Sequence, residues 1–164
     1  MKGMTKIIDL EKVAIMRLSD GAEISKRYYD KPLMLCYSGG KDSDIILDLA
    51  IKSGIDFEVQ HSHTTADAPE TVYHIRNKFK ELESKGIKCN IDMPRYKGKP
   101  TSMWSLIVQK GIPPTRLVRY CCAILKETGG KNRAIATGVR RAESTKRRSK
   151  GVIETYSQAN ISNV

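Results

Sequence analysis

Residues 33–52 read LMLCYSGGKDSDIILDLAIK and divide into three segments of different physical character. The apolar run at 33–37 has the composition of a strand that is buried on both faces, as strands in parallel sheets are. The apolar positions of residues 44–52 have helical spacing, and the pattern stops at Gly54. Because a glycine pair stands between the two, the stretch predicts a strand, a tight loop and a helix.

The hexapeptide SGGKDS between this strand and helix has the composition of an anion-binding loop. Gly39 and Gly40 let the backbone approach an anion, and the helix that follows presents unpaired N–H groups and the positive end of its dipole. Ser38, Lys41 and Ser43 add hydrogen-bond donors and a positive charge. The spacing is neither the GxxxxGK[ST] of kinases and GTPases nor the GxGxxG of dinucleotide-binding proteins. The sequence therefore predicts a phosphate loop of another class.

Strands and helices alternate along most of the chain. Residues 5–30 predict one or two amphipathic helices, with a break at Asp20-Gly21. The alternation implies right-handed crossovers, and we expect an α/β fold with a doubly wound parallel sheet and flanking helices. Further strands are predicted at 57–61, 87–92 and 134–137, and further helices at 67–86, 102–109 and 119–127.

The helix predicted at 67–86 has a sequence signature at its start. Asp67 is in position to cap the helix, and Glu70 can reach back from three residues on. Pro69 stands in the first turn, where its missing N–H group costs nothing. We therefore expect Asp67 to be the N-cap residue.

The chain of 164 residues carries 29 Lys and Arg against 18 Asp and Glu, which gives a net charge of +11. Its length and its 40% hydrophobic content are those of one compact domain, and they exclude disorder of the whole chain and a mini-protein scaffold. No stretch approaches the ~20 consecutive apolar residues of a membrane span, and the N-terminus has no apolar signal core, so we expect a cytoplasmic protein without membrane contact. The charge implies an anionic partner, which a nucleotide, a nucleic acid or counterions could supply.

In its strand-loop-helix context the hexapeptide resembles the pyrophosphatase loop (PP-loop) of the adenine-nucleotide alpha-hydrolase superfamily. The resemblance extends over roughly residues 30–150, and the chain is identified as a member of the phosphoadenosine phosphosulfate (PAPS) reductase family. It implies an adenine-nucleotide alpha-hydrolase-like fold with the nucleotide at the carboxyl edge of the sheet. The other segments that resemble motifs of this family, in order and spacing, are PET at 69–71, RYCCAILK at 119–126 and TGVRRAES at 137–144.

The cysteine pattern departs from that of the reductases in this family. Thioredoxin-dependent members carry a nucleophilic cysteine in a C-terminal tail, whereas this chain has no cysteine after Cys122. Iron–sulfur members pair a Cys-Cys with a distal CxxC, which this chain lacks, so we expect no iron–sulfur cluster. The intact loop is closer to that of ATP-using relatives: the small subunit of ATP sulfurylase, FAD synthetase and the DNA phosphorothioation sulfurtransferases.

The resemblance therefore implies an enzyme that cleaves ATP between the α and β phosphates and transfers the adenylyl group, coupled to sulfur chemistry. One alternative is a sulfonucleotide reductase that acts on PAPS or its desphospho analogue. Another is a non-catalytic module that binds a nucleotide or a nucleic acid. Each activity differs in its ligand, so binding and turnover discriminate among them.

The expected site follows from the same resemblance, with ATP and Mg²⁺ as ligands. Lys41 would neutralise charge that develops on the phosphates, and Asp42 is the nearest carboxylate for magnesium or, alternatively, a cap of the loop or helix. His63 and Thr65 follow the second strand, where they either contact the nucleotide or form a polar loop. The expected nucleotide-binding residues are Ser38, Gly39, Gly40, Lys41, Asp42, Ser43, His63, Thr65, Gly138, Arg140, Arg141, Glu143 and Ser144.

Cys121 and Cys122 stand between Arg119 and Lys126 on a short predicted helix. Nearby cations stabilise a thiolate, so one of the two is a candidate nucleophile or sulfur carrier alongside Lys41 as catalytic residue. Adjacent helical residues point about 100° apart, so both cannot face one site. The alternative is that both are inert small residues of the helix.

The boundaries follow from composition, whereas the PP-loop domain and the sulfur donor partner are what the resemblance implies. Residues 1–30 form an N-terminal helical segment, residues 31–155 the PP-loop nucleotide-binding domain and residues 156–164 a tail. The chain ends without an obvious closing element, as a domain cut from a longer protein would. The basic stretch 140–150 could bind the backbone of tRNA or DNA, and a sulfur donor protein is a further expected partner.

Overall fold

The structure is a computed structural model that describes residues 9–127, 129–130, 132–139 and 151–154. The helices are α1 (Leu10–Tyr29), α2 (Lys41–Ser53), α3 (Pro69–Ser84), α4 (Met103–Lys110) and α5 (Tyr120–Leu125). The strands are β1 (Leu33–Cys36), β2 (Phe57–Ser62), β3 (Cys89–Asp92), β4 (Arg95–Tyr96), β5 (Lys99–Pro100) and β6 (Ile135–Ala136). Within these ranges no helix has both the length and the apolar character needed to cross a membrane.

Four of the strands form a parallel sheet in the order β3-β2-β1-β6. Leu33 of β1 lies opposite Phe57 of β2, and Met34 lies opposite Ile135 of β6. The chain moves outward from β1 through β2 to β3 and then returns to the other side of β1. The structure thus confirms the predicted α/β fold, a parallel sheet flanked by helices, and its strand order reverses between β1 and β6.

One face of the sheet carries the main hydrophobic core. Alternate residues of β1, Leu33 and Leu35, point into it because side chains of a strand alternate between faces. Each of the first three helices contributes a buried side chain: Leu18 from α1, Leu47 from α2 and Ile75 from α3. Burial of such side chains contributes about 1.5–3 kcal/mol each, so this layer holds the helices on the sheet.

The N-terminal segment forms a single helix, α1, so the break considered at Asp20-Gly21 does not occur. Gly21 lies against the side chain of Leu33, where a Cβ atom would make an ordinary contact of 3.6 Å. Packing on the sheet outweighs the roughly 1 kcal/mol that a glycine costs within a helix. The helix ends at Asp30, which has a positive φ of 50° and donates its N–H to the carbonyl of Lys26.

A short hairpin, β4–β5, follows the sheet edge and was not predicted from the sequence. Its turn residues Lys97 and Gly98 both have positive φ, as a two-residue type I′ turn requires. Beside it, Leu106, Tyr120 and Leu125 form a second, smaller core that joins α4 to α5. These elements make up the connection from β3 back to β6.

Candidate functional site

The loops that follow β1 and β6 line a cavity of about 310 Å³. It lies where the strand order reverses, which is where open parallel sheets bind ligands. A hollow of about 470 Å³ lies elsewhere, between α3 and the edge strand β3, and includes no residue of the phosphate loop. The residues that line the cavity between β1 and β6 are Cys36, Ser38, Gly40, Lys41, Asp42, Ser43, Thr137, Gly138 and Val139.

The hydroxyl of Ser43 holds the phosphate loop in shape. It donates to the carbonyl of Gly40 at 2.7 Å and accepts from the N–H of the same residue at 3.1 Å. Ser38 donates in turn to the Ser43 hydroxyl at 3.3 Å. Ser43 is buried, so these bonds are shielded from water. The loop therefore presents the first turn of α2, with its N–H groups and dipole, to the cavity.

Two glycines make the close approach of the loops possible. Gly39 has a φ of +76°, and a Cβ there would lie 3.0 Å from the side chain of Ile75. At Gly138, in the loop after β6, a Cβ would lie 2.8 Å from the carbonyl oxygen of Asp42. The loop after β6 thus packs directly on the first turn of α2, and a side chain at Gly138 would push them apart.

Lys41 and Asp42 bring opposite charges to the cavity at the start of α2. Lys41 is exposed and can reach an anion in the cavity. Asp42 lines the same cavity, and Mg²⁺ takes carboxylate, phosphate and water oxygens as ligands. A lysine and a carboxylate therefore stand together at the start of α2.

Sequence reasoning missed the role of Tyr37, the residue that precedes the loop. Its buried hydroxyl donates to Asp44 of α2 at 2.6 Å and lies 3.3 Å from Nε2 of His74 on α3. Burial, together with the hydrogen bond to Asp44, raises the pKa of Tyr37. A polar tip at the end of an apolar strand needs a partner, and that is the signal that could have revealed this connection.

The end of β2 and the loop after it carry two histidines and a carboxylate. His61 is buried, and its Nδ1 lies 3.0 Å from the carbonyl oxygen of Tyr37. His63 Nδ1 lies 3.5 Å from Oδ2 of Asp67. The same Oδ2 accepts the N–H of Thr64 at 2.9 Å. Three polar groups thus converge at the carboxyl end of β2.

The prediction that Asp67 caps α3 is wrong. The N-cap residue is Ala68, which makes no side-chain cap, and Pro69 stands at the first helical position as predicted. The carboxylate of Asp67 turns back toward Thr64 instead of forward to the helix. A capping pattern in sequence does not distinguish these two directions, because both satisfy a backbone N–H group.

Burial affects His61 and Asp67 differently. It lowers the pKa of His61, although the hydrogen bond to Tyr37 and the charge of Asp67 oppose it. For Asp67, burial favours the neutral acid, but hydrogen bonds from Thr64 outweigh it and hold the pKa below its usual value. The surroundings therefore disfavour the charged form of His61 and favour that of Asp67.

Thr65 connects the loop after β2 to α4. It has a positive φ of 61°, and its hydroxyl accepts the N–H of Met103 at 2.8 Å. His63 and Thr65 share the carboxyl edge of the sheet with the phosphate loop, but neither lines the cavity between β1 and β6. Their contact with a nucleotide stays a prediction.

The two adjacent cysteines lie on α5 and differ in their surroundings. Arg119 donates to the Sγ of Cys122 at 3.4 Å, and this contact raises the pKa of the guanidinium. Burial raises the pKa of Cys121, and the neighbouring Cys122 adds to the effect. These contacts favour Cys122 over Cys121 as a reactive thiol.

The remaining cysteines are held as thiols. Burial raises the pKa of Cys36 to about 11, although this residue lines the cavity. Burial and the charge of Glu83 raise the pKa of Cys89 to about 11. Neither is poised to form a thiolate near pH 7.

Part of the predicted site lies outside the described residues. This holds for Arg140, Arg141, Glu143 and Ser144, and for the remainder of the basic stretch 140–150. Their expected contacts with nucleotide, tRNA or DNA stay predictions.

Comparison with known families gives one finding. A family model described as "Phosphoadenosine phosphosulfate reductase domain" matches residues 32–162. A search of curated proteins finds no match. The matched range includes β1, the phosphate loop, the Cys121-Cys122 helix and the loop after β6.

Proposed function

Because the chain belongs to the PAPS reductase family and so to the PP-loop superfamily, we propose that it binds the phosphates of an adenine nucleotide in the cavity between β1 and β6. One observation carries the proposal. The first turn of α2, Lys41 and the glycine loop all face that cavity. Backbone N–H groups, a helix dipole and a lysine together form an anion site.

The intact phosphate loop supports ATP as the nucleotide. An oxygen of the acceptor attacks the α-phosphorus, the bond from that phosphorus to the bridging oxygen breaks, and pyrophosphate leaves with the electron pair. Lys41 and the N–H groups at the start of α2 stabilise the charge that grows on the leaving group. Asp42 would hold Mg²⁺ with the phosphate oxygens, and the bound ion would neutralise phosphate charge.

Sulfur chemistry is the second half of the proposal. Cys122 is the candidate thiol, because its Sγ accepts a hydrogen bond from Arg119. A thiolate there would attack the outer sulfur of a donor persulfide and release the donor thiolate. The terminal sulfur of the resulting Cys122 persulfide would then displace AMP from the adenylated acceptor, and an external dithiol would reduce the disulfide that joins the acceptor to Cys122. The contact with Arg119 supports Cys122, and Cys121 serves as a neighbouring control position.

A sulfonucleotide reductase is the second candidate, and the description of the matching family model favours it. This reaction reduces the sulfate group of PAPS or its desphospho analogue to sulfite, with a dithiol oxidised to a disulfide. A protein dithiol such as that of reduced thioredoxin would supply the two electrons. Sulfite release with reduced thioredoxin would identify this activity.

Isothermal titration with Mg-ATP, and separately with PAPS, tests the proposed site. Lys41→Ala removes a charge-assisted contact worth about 1.5–3 kcal/mol, which corresponds to roughly 10–100-fold weaker binding. Lys52→Ala is the matched control, because it removes the same charge at the other end of α2, where Lys52 pairs with Asp48. We expect its affinity to equal that of the wild type.

The outcomes separate the two candidates. Tight ATP binding that Lys41→Ala weakens, with pyrophosphate release when acceptors are added, supports adenylyl transfer. Preferential binding of PAPS selects the reductase. Tight binding without turnover of either nucleotide indicates a binding module, and absence of binding overturns the proposed site.

A further inference from the structure

We propose that the carboxyl end of β2 and the loop after it form a binding site for a divalent transition metal, with His61, His63 and Asp67 as its protein ligands. One donor atom from each of the three lies within 4.8 Å of the others. The group is distinct from the residues that line the cavity between β1 and β6. The inference does not depend on the proposed nucleotide chemistry.

His61 provides the strongest observation. It is 6% exposed, and its Nε2 is buried without a hydrogen-bond partner among the residues that the structure describes. Because a carbonyl oxygen only accepts, Nδ1 carries the proton and donates it to Tyr37. Nε2 then holds a lone pair. A histidine that ligates a metal has this arrangement, with its other nitrogen donating to a backbone carbonyl.

His63 and Asp67 complete the donor set. Residues 61 and 63 are two apart at the end of a strand, so their side chains leave the backbone on the same side. His63 Nδ1 already lies 3.5 Å from Asp67 Oδ2, and the N–H of Thr64 orients that carboxylate. A bound cation would satisfy the lone pair of His61 and replace the contact between His63 and Asp67.

The donor set selects the class of metal. Two imidazole nitrogens with one carboxylate oxygen suit zinc-like ions, whereas Mg²⁺ and Ca²⁺ prefer oxygen ligands alone. The side chains of His63 and Asp67 are 20% and 22% exposed, so solvent reaches the site. Three protein ligands with an accessible fourth position allow water or a substrate atom to bind the metal.

Cobalt(II) titration of the reduced chain, without a histidine tag and without nucleotide, is the test. We expect visible ligand-field absorption and no thiolate-to-cobalt charge-transfer band. Competition by Zn²⁺ then gives the zinc affinity. Removal of a hydrogen bond that orients a metal ligand weakens metal binding roughly 10–100-fold. Removal of a ligand itself, as in His63→Ala or Asp67→Ala, should therefore weaken metal binding by about 100-fold or more.

The control is the third histidine of the chain, His74, which lies on α3 outside the cluster. His74→Gln should bind the metal as the wild type does. Both test positions are partly exposed, and circular dichroism checks that the variants fold. Equal metal affinity in the wild type and both test variants, or a thiolate charge-transfer band, overturns the proposal.

Discussion

Ser43 uses one hydroxyl to bond both backbone polar groups of Gly40. Ser43→Ala removes both bonds in a buried position, so we expect the free energy of unfolding to fall by about 1–3 kcal/mol. Nucleotide affinity should fall as well, because the loop loses its fixed shape. Urea unfolding and isothermal titration measure the two effects. Ser38→Ala, at an exposed position with one long hydrogen bond, should leave stability nearly unchanged.

Cysteine alkylation has a predictable order and pH dependence. All four cysteines are partly buried, but Cys122 alone among them accepts a hydrogen bond from Arg119, so it should react first with iodoacetamide at pH 8. A thiol with a pKa of about 11, as for Cys36 and Cys89, is only about one part in a thousand thiolate at that pH. Because a raised pKa keeps the thiol protonated, their labelling should increase until the pH approaches 11.

Mass spectrometry of the folded protein at several pH values reads the sites separately. Cys121, whose pKa is also raised, should lag behind Cys122 although the two are adjacent. Labelling of Cys36 at pH 8 as fast as that of Cys122 would contradict this account.

At the scale of elements, the contact between the loop after β6 and the start of α2 decides the shape of the cavity. Gly138→Ala puts a Cβ 2.8 Å from the Asp42 carbonyl oxygen, which must move. We expect a loss of about 1–3 kcal/mol in unfolding free energy and weaker nucleotide binding. Gly21→Ala is the control: its Cβ has a 3.6 Å contact, and alanine favours the helix. Equal behaviour of the two variants would argue against the tight contact.

The regular elements were predictable because their signals are local. The run at 33–37, the glycine loop and the amphipathic spacing of α2 are contiguous in sequence, and each element formed where the pattern indicated. The hairpin β4–β5 has two-residue strands, too short for a periodic signal. Asp67 was misassigned because its partner, Thr64, precedes it, and local patterns do not give the direction of a turn.

The site was predictable only in part, for a related reason. Residues of the phosphate loop lie together in sequence. The hydroxyl of Tyr37, in contrast, contacts Asp44 and His74, which lie on two different helices. The cluster of His61, His63 and Asp67 is distinguished by the Nε2 atom of His61, which is buried and has no hydrogen-bond partner within the described part of the chain. Neither spacing nor composition reports that loss of partner, so a three-dimensional structure is needed.

At the scale of the whole molecule, a buried ion pair joins distant parts of the chain on the second face of the sheet. Glu58 of β2 accepts from Arg133 and pairs with Lys88 at 3.3 Å. Arg133 also donates to the carbonyl of Pro32 at 3.0 Å. The pair therefore connects β2 with the residues that come just before β1, β3 and β6.

Glu58→Ala leaves the Arg133 guanidinium, whose side chain is only 16% exposed, without its carboxylate partner, so we expect the unfolding free energy to fall by up to about 3 kcal/mol. Glu81→Ala is the control, because Glu81 pairs with Lys78 and Lys85 on the exposed side of α3. Its stability should hardly change. Urea unfolding at neutral pH compares the two, and equal losses would show that the buried pair is no more important than a surface pair.

Because β1 pairs with β6, the cavity between them can form only late in the synthesis of the chain. The contact of Arg133 with Pro32 spans 101 residues. At roughly 5–20 residues per second, a ribosome needs about 5–20 s to make that stretch. During this interval the glycine loop is leaving or has left the ribosome. The loop after β6, which lines the other side of the cavity, has not yet been synthesised. A nucleotide bound at the proposed site would therefore stabilise only a molecule in which the loop after β6, with Gly138, has left the ribosome and packed on α2.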